Sequence, residues 1–125
     1  MEDFVTFEIA KKLKNLGFEE STYHYYNIDD IRYCRDDYPS NHNGDPLREF
    51  EISAPTISQA LKWLRDKFFL HISQKPYACK DGLMWMYEIR KFNKRIVLVI
   101  ANKTGFVEEE EASLAGIEYV LDNLI

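Results

Sequence analysis

The sequence is poor in the residues from which specialised sites are usually built. Among its 125 residues there are only two cysteines and five glycines. Cys34 and Cys79 lie 45 positions apart, which matches no spacing of a metal-binding or redox motif. The chain has no Walker-type glycine loop, no Gly-x-Ser-x-Gly elbow and no His-Glu-x-x-His helix. We therefore expect reduced thiols, no cofactor, no catalytic residues and no enzymatic activity.

Long hydrophobic runs are also missing. The longest uninterrupted aliphatic run, Ile96 to Ala101, has six residues, whereas a membrane-spanning helix needs about 20. The chain begins Met-Glu-Asp-Phe-Val, without the basic and apolar regions of a secretory signal. Hydrophobic residues make up 46% and charged residues 30%, as in ordinary globular proteins. These features predict a soluble, cytoplasmic protein that folds as one domain over residues 1–125.

Helical periodicity appears three times along the chain, first near its start. Val5, Ile9, Leu13 and Leu16 recur at spacings of three and four, which places them on one stripe of a helix. Gly17 follows the stripe directly and supplies a helix stop. We therefore predict an N-terminal amphipathic helix that ends near Gly17.

Two further helices are predicted in the second half of the chain. Thr56 and Gln59 have the spacing of a capping box, so a helix should begin there. Its buried stripe consists of Ile57, Ala60, Leu61, Leu64 and Phe68. A third helix begins in the acidic run Glu108–Glu111, because the helix dipole favours negative charge at that end. Its apolar face should carry Leu114, Ile117, Leu121 and Leu124. The acidic run is also a candidate patch for a basic partner, but a solubilising helix start explains it more simply.

Between these two helices the periodicity changes to two, which is typical of strands. Leu70–Tyr77 is predicted to be a strand. Asp81-Gly82 is a strong hairpin signal, and the segment after it again alternates between more and less hydrophobic residues. A second turn near Phe92 leads into Arg95–Ala101, which is apolar on both faces and is therefore predicted to lie centrally in the sheet. Residues 70–101 should form a three-stranded antiparallel meander.

The segment 18–54 has weaker signals. Ser21–Asn27 is rich in tyrosine and favours a strand, with Leu47–Ile52 as its partner. Tyr38–Pro46 is dense in turn-forming residues and predicts a long exposed loop, which is a candidate site by position alone. The whole pattern predicts an α+β fold of order α-β(β)-α-β-β-β-α. Its sheet is the meander, with or without an extension by one or two N-terminal strands, and three helices cover one face of it.

Acidic side chains and one histidine crowd into the same segment, which raises the question of a metal site. They are Asp29, Asp30, Asp36, Asp37, His42 and Asp45. The fragment Asn41-x-Asn43-Gly44 resembles part of a calcium loop, but the first and twelfth positions fall on Pro39 and Phe50, which cannot coordinate through their side chains. We therefore expect a solvated acidic loop and no metal. Cys34 could meet His42 in space, but sequence spacing gives no reason to pair them.

Charge is distributed unevenly along the chain. Residues 62–95 hold nine basic and three acidic side chains, whereas residues 1–61 hold six and twelve, and residues 96–125 hold one and six. The three segments therefore carry +6, −6 and −5, which sum to the net charge of −5. A basic hairpin with an aromatic residue can grip phosphates and stack on a base. The candidate nucleic-acid-binding residues are Lys80, Arg90, Lys91, Phe92, Lys94 and Arg95. A merely solvated turn explains the same residues and is the preferred interpretation.

Trp63 stands apart from the buried stripe of its helix. It lies about 120° from the line through Ile57, Leu61 and Leu64, given the helical rotation per residue. Such a tryptophan either packs on a second layer, which we favour, or anchors a binding partner.

Several segments together resemble a group of small uncharacterised proteins from gut Bacteroidales bacteria, their phages and integrated mobile elements. The resemblance lies in Asp3–Leu13, Ala54–Arg65, Leu70–Ile72, Trp85–Ile89 and Gly116–Ile125, about half of the chain. It implies a phage or mobile-element context and an accessory or regulatory role. It assigns no activity and no catalytic residues.

These observations favour a non-enzymatic protein-interaction module, acting as an adaptor or inhibitor of a host or phage protein. The alternative is a nucleic-acid-binding accessory protein that uses the hairpin around residues 90–95. A small hydrolase or nuclease using the carboxylates of residues 29–45 is a distant third hypothesis. No membrane partner is expected, and the chain is either a monomer or a symmetric homodimer, since exposed sheet edges can pair.

Overall fold

The α+β fold class is confirmed by a computed structural model that describes residues 3–125. Met1 and Glu2, the first two residues of the sequence that lacks the regions of a secretory signal, lie outside the described residues. The described chain contains three α-helices and two antiparallel three-stranded sheets. It divides into two compact units, with the boundary after Thr56. The assignment of residues 1–125 to a single domain stays a prediction.

The N-terminal helix of the first unit is confirmed. Helix α1 spans Phe7–Asn15, and the Thr6 hydroxyl accepts a hydrogen bond from the Ile9 amide at 3.3 Å, which caps the helix N-terminus. Ile9 and Leu13 are buried, as their stripe predicts. Gly17 follows the helix at a φ of 91°, a conformation that glycine adopts without steric cost.

The N-terminal strands form a separate sheet, so the predicted extension of the meander is wrong, and this sheet contains one strand more than predicted. Strand β1 (Thr22–Asn27) lies between β2 (Arg32–Ser40) and β3 (Glu51–Ser53), and both neighbours pair with it antiparallel. The predicted exposed loop Tyr38–Pro46 is therefore wrong in its first part, which belongs to β2. Its turn-forming residues misled the prediction because β2 is an edge strand, where a proline such as Pro39 is tolerated.

The predicted partner strand Leu47–Ile52 is also only partly right. Pro46–Arg48 forms a short 3-10 helix, and strand pairing with β1 covers only Glu51–Ser53. The Asp45 carboxylate accepts from the Leu47 amide at 2.9 Å and so caps this helical turn. A local side-chain hydrogen bond thus replaces the first half of the predicted strand.

The meander of the second unit is confirmed. Helix α2 (Ile57–Phe68) is followed by β4 (Leu70–Cys79), β5 (Gly82–Phe92) and β6 (Val97–Phe106), and helix α3 (Glu109–Asn123) completes the unit. The strands pair antiparallel in the order β4-β5-β6. Both helices contact the meander, and the buried residues Leu70, Ile72, Tyr87 and Ile89 form its covered side.

Strand β6 does not lie centrally in the sheet, contrary to the prediction. It is an edge strand, and β5 is the central one. The prediction assumed that a strand with aliphatic side chains on both faces is covered by other parts of the protein on both faces. In the structure the aliphatic side chains of β6 remain largely exposed. The aliphatic run therefore belongs to an open surface and not to a buried strand.

The buried face of α3 is also different from the predicted one. Ile117 is buried, but Leu114, Leu121 and Leu124 are only half-buried. The face that packs on the sheet is built mainly from small residues, namely Ala112, Ser113, Gly116, Ile117 and Val120. Small side chains let the helix axis approach the strands closely, and size rather than hydrophobicity selects the face.

Candidate functional site

The most unusual surface of the molecule is the outer edge of β6. Five consecutive aliphatic residues there are exposed by 40 to 63%: Ile96, Val97, Leu98, Val99 and Ile100. Scattered exposed apolar residues are normal, whereas a continuous apolar strand at a sheet edge is a template for pairing with another strand. We refer to residues 96–101, that is Ile96 and the first five residues of β6, as the β6 edge.

The opposite edge of the same sheet is protected in the usual ways. Helix α2 packs against β4, and Pro76 interrupts the row of backbone donors on that strand. Lys75 adds a charge, with its Nζ atom 3.2 Å from the Glu88 carboxylate. Natural sheets protect their edges with proline, charge and covering elements, so the lack of such devices within the β6 edge is a distinguishing feature.

A second surface gathers basic side chains at one end of the second unit. The register places Leu70 opposite Lys91, and the Phe92 amide donates to the Phe69 carbonyl at 3.1 Å. The end of α2 therefore lies next to the β5–β6 turn. Basic residues from both elements share this end, which we call the basic end: Arg65, Lys67, Arg90, Lys91, Lys94 and Arg95.

The predicted nucleic-acid-binding residues fall into three groups in the structure. Lys91, Lys94 and Arg95 are exposed at the basic end. Arg90 lies beside them, but its Nε donates to Glu88 Oε1 at 2.5 Å, so its charge is largely compensated. Lys80 lies in the β4–β5 turn at the far end of β5 and is not brought together with the others.

Glu88 connects Arg90 to Lys75. Hydrogen bonds from Lys75 and Arg90 lower the pKa of its carboxyl group, because both stabilise the ionised form. The carboxylate therefore stays charged at neutral pH and compensates Lys75 and Arg90 on the open face of the sheet. Lys94 and Arg95 are consequently the stronger candidates for contact with an anion.

Phe69 is a candidate that sequence reasoning missed. Its φ is 58°, a left-handed conformation that bulky residues rarely adopt, and its side chain is 53% exposed. The ring contacts Phe92 edge-on, with 5.8 Å between the centroids. Phe92 is itself only half-exposed. A run of two phenylalanines at the end of a helix gives no sign of this geometry, which depends on the β4–β5 register.

Trp63 is half-buried and packs within its own helix. Its ring contacts Phe68 edge-on at 5.6 Å, and the Lys67 ammonium lies 4.9 Å from the ring centroid. These contacts lie within α2, so the predicted packing on a second layer stays a prediction. The anchor hypothesis stays a prediction.

The first unit contains a buried polar network centred on His42. The His42 side chain is fully buried, with Nδ1 3.0 Å from Glu51 Oε1 and Nε2 3.2 Å from the Thr22 carbonyl and 3.3 Å from Asp36. Its ring stacks on Tyr25 at 4.5 Å. Arg48 joins the network, with Nη1 2.9 Å from Asp36 Oδ2.

This network accounts for part of the acidic segment. Arg48 also contacts Asp45 at 3.3 Å, and its hydrogen bond with Asp36 raises the pKa of the guanidinium. Asp36 and Asp45 are therefore engaged by an arginine. Within residues 3–125, no three histidine, cysteine or acidic side chains are grouped as a metal site. Cys34 donates to the Arg32 carbonyl at 3.6 Å, while His42 is held by Glu51, so the two are engaged separately.

Comparisons with other proteins provide no relative from which a role could be transferred. No family model matches the chain, and neither the curated proteins nor the solved structures compared with it give a match. The resemblance to proteins of gut bacteria and their mobile elements therefore stays a prediction. Among residues 3–125, no helix is long and apolar enough to cross a membrane.

Proposed function

We propose that this chain is a non-enzymatic protein-interaction module that acts by strand addition at the β6 edge. The observation that carries the proposal is the run of five consecutive exposed aliphatic residues on an edge strand. Main-chain hydrogen bonds along such an edge provide affinity, and the side chains on its two faces provide apolar burial. Residues 96–101 include no charge and no proline to prevent this pairing.

The occupant that fits this edge is the β6 edge of a second copy. An antiparallel strand pair formed by identical strands is two-fold symmetric, so both copies use the same surface. In a pairing that places Val99 opposite its own copy, the residues opposed to each other from Val97 to Ala101 are all uncharged. The product is one continuous sheet of six strands, three from each copy.

The protected β4 edge supports a closed dimer over an open fibre. After pairing through β6, the outer strands of the joined sheet are the two β4 strands. Each has Pro76 on it and α2 packed against it, so further strand addition is disfavoured. A dimer also presents two copies of the basic end, which suits an adaptor.

The test is the oligomeric state of Val99→Lys, measured by sedimentation velocity over a concentration series. We expect a wild-type dimer with a dissociation constant of about 10 µM or lower, weakened at least about tenfold in the variant, because the two-fold axis brings the two lysines close together. Leu83→Lys is the matched control: Leu83 is 62% exposed, compared with 54% for Val99, but lies at the far end of β5.

A second probe separates self-pairing from strand addition in general. A wild-type protein that is monomeric at about 100 µM would contradict the dimer. Such a monomer can still be titrated with a synthetic peptide covering residues 95–103, the sequence of the edge itself. If the peptide does not bind either, strand addition at β6 is wrong. Peptide binding to a monomer would point instead to an apolar strand of another protein.

Nucleic-acid binding at the basic end is the second candidate function. It is favoured by one observation, the register that joins the cations of α2 to those of the β5–β6 turn beside an exposed phenylalanine. Because Lys80 lies far from this end, charge reversal at Lys80 is a matched control for charge reversal at Arg95.

We expect Arg95→Glu to weaken binding of a labelled single-stranded oligonucleotide at low salt by at least about tenfold, and Lys80→Glu to weaken it far less. Fluorescence anisotropy at several salt concentrations measures both. Equal losses in the two variants would indicate a diffuse charge effect, and lack of binding by the wild type at low salt would exclude this function.

A further inference from the structure

A cleft between α2 and β4 is a separate feature, independent of the β6 edge. It has a volume of about 330 Å³ and is bounded by one stripe of α2 and by the first half of β4. The helix contributes Ser58, Leu61, Lys62 and Arg65, and the strand contributes His71, Ile72, Ser73 and Gln74. This volume lies at the lower end of the range of small-molecule sites, about 300–1,000 Å³.

The cleft is rich in positive charge and hydrogen-bond donors. Lys62 and Arg65 are three residues apart and therefore neighbour each other on the helix surface facing β4. Asp66 lies beside Arg65, with Oδ1 3.5 Å from Arg65 Nε and a side chain that is 60% exposed. A guanidinium has four further N–H donors on its terminal nitrogens, so this contact does not exhaust Arg65.

One buried donor in the cleft has no partner. The Nε2 atom of Gln74 is buried and makes no hydrogen bond, although Gln74 lines the cleft. A buried donor without an acceptor is costly, and rotation of the Gln74 amide into the cleft would let a ligand oxygen accept from it and remove this cost. Because β4 is an edge strand, alternate backbone groups of residues 71–74 are also directed away from β5, towards the cleft side.

These donors fit an oxyanion with several acceptor oxygens. A phosphate monoester provides three such oxygens and close to two negative charges, which matches two cations, the hydroxyl of Ser58 and the Gln74 amide. The Ser73 hydroxyl already donates to the Glu88 carbonyl at 3.5 Å. Leu61 and Ile72 add apolar surface for the organic part of the molecule. We propose that the cleft binds a small phosphorylated ligand through Lys62, Arg65 and Gln74.

The experiment is a titration of the full chain followed by two-dimensional amide NMR. The probes are inorganic phosphate, glucose 6-phosphate and adenosine 5′-monophosphate, with adenosine and glucose as unphosphorylated controls. We expect a phosphorylated probe to shift the amide signals of residues 71–74 with a dissociation constant of about 1 mM or lower. A response to inorganic phosphate alone would identify the free ion as the ligand, and a stronger response to one ester would identify the organic group.

Charge-neutral variants locate the site. Arg65→Gln and Lys62→Gln should each weaken binding by about tenfold, whereas Lys94→Gln, at the exposed β5–β6 turn, should leave it unchanged. Gln74→Leu, which removes the unpartnered donor, should also weaken binding without unfolding the chain.

Three results would overturn the proposal. The first is the lack of any shift with phosphorylated probes up to about 10 mM. The second is equal loss of binding in Lys94→Gln and Arg65→Gln. The third is a response of residues 71–74 to an oligonucleotide but to none of the small phosphates, which would instead assign the cations to nucleic-acid binding.

Discussion

Replacing His42 by leucine is expected to destabilise the first unit by about 2–4 kcal/mol, the largest effect of any single polar substitution considered for this chain. His42 is fully buried and contacts the Thr22 carbonyl, Glu51 and Asp36. Leucine has a similar volume, so the loss comes from the polar groups that remain without a partner. The stacking of the imidazole on Tyr25 is lost as well.

Because the chain has two compact units, the stability of each unit has to be followed by a separate measurement. Both tryptophans, Trp63 and Trp85, lie after Thr56, so tryptophan fluorescence reports on the second unit. Hydrogen exchange of the β1 and β3 amides reports on the first. We expect His42→Leu to accelerate exchange in β1 and β3 and to lower the free energy of unfolding measured in urea by circular dichroism.

His71→Leu is the matched control for this substitution. His71 is a half-exposed histidine on β4, and its replacement should change the free energy of unfolding by no more than about 0.5 kcal/mol. If His42→Leu unfolds at the same urea concentration as the wild type, the network around His42 contributes nothing to stability.

The success of sequence reasoning differed between elements for physical reasons. Helix α1 and the β4–β5 hairpin were predictable because their signals are local, a buried stripe in one case and Asp81-Gly82 in the other. The edge position of β6 was not, because an aliphatic run looks the same whether it is covered or exposed. Only the strand order distinguishes the two cases.

The candidate sites depend on long-range register and were therefore predictable only in part. The cations around Phe92 were identified from their clustering in the sequence, but the inclusion of Lys80 was not supported by the strand pairing. The contribution of α2 to the basic end could not be foreseen, since it follows from the pairing of Leu70 with Lys91. Its contribution to the cleft could not be foreseen either, since it follows from the packing of α2 against β4. His42 was noted as part of an acidic cluster, whereas its partner Arg48 was not.

Gly116→Ala is expected to destabilise the second unit, against the usual sign of such a change. In a helix, alanine is normally more stable than glycine by about 1 kcal/mol. Here a Cβ atom at position 116 would lie 2.8 Å from Ile72 Cγ2 and 3.3 Å from Tyr87 Cγ. Overpacking of this kind costs about 1–3 kcal/mol, so we expect a net loss of about 1 kcal/mol and a larger loss for Gly116→Val.

A double-mutant cycle with Ile72→Ala isolates the steric cause of this loss. Ile72→Ala alone should cost about 2–4 kcal/mol, because Ile72 is buried against the helix. In that background the Cγ2 methyl is absent, so the same Gly116→Ala change should become neutral or stabilising. Urea denaturation followed by tryptophan fluorescence measures all four proteins. If Gly116→Ala destabilises the protein equally in both backgrounds, contact with Ile72 is not the cause of the loss. If Gly116→Ala stabilises the wild-type protein, α3 does not approach the sheet as closely as its small residues indicate.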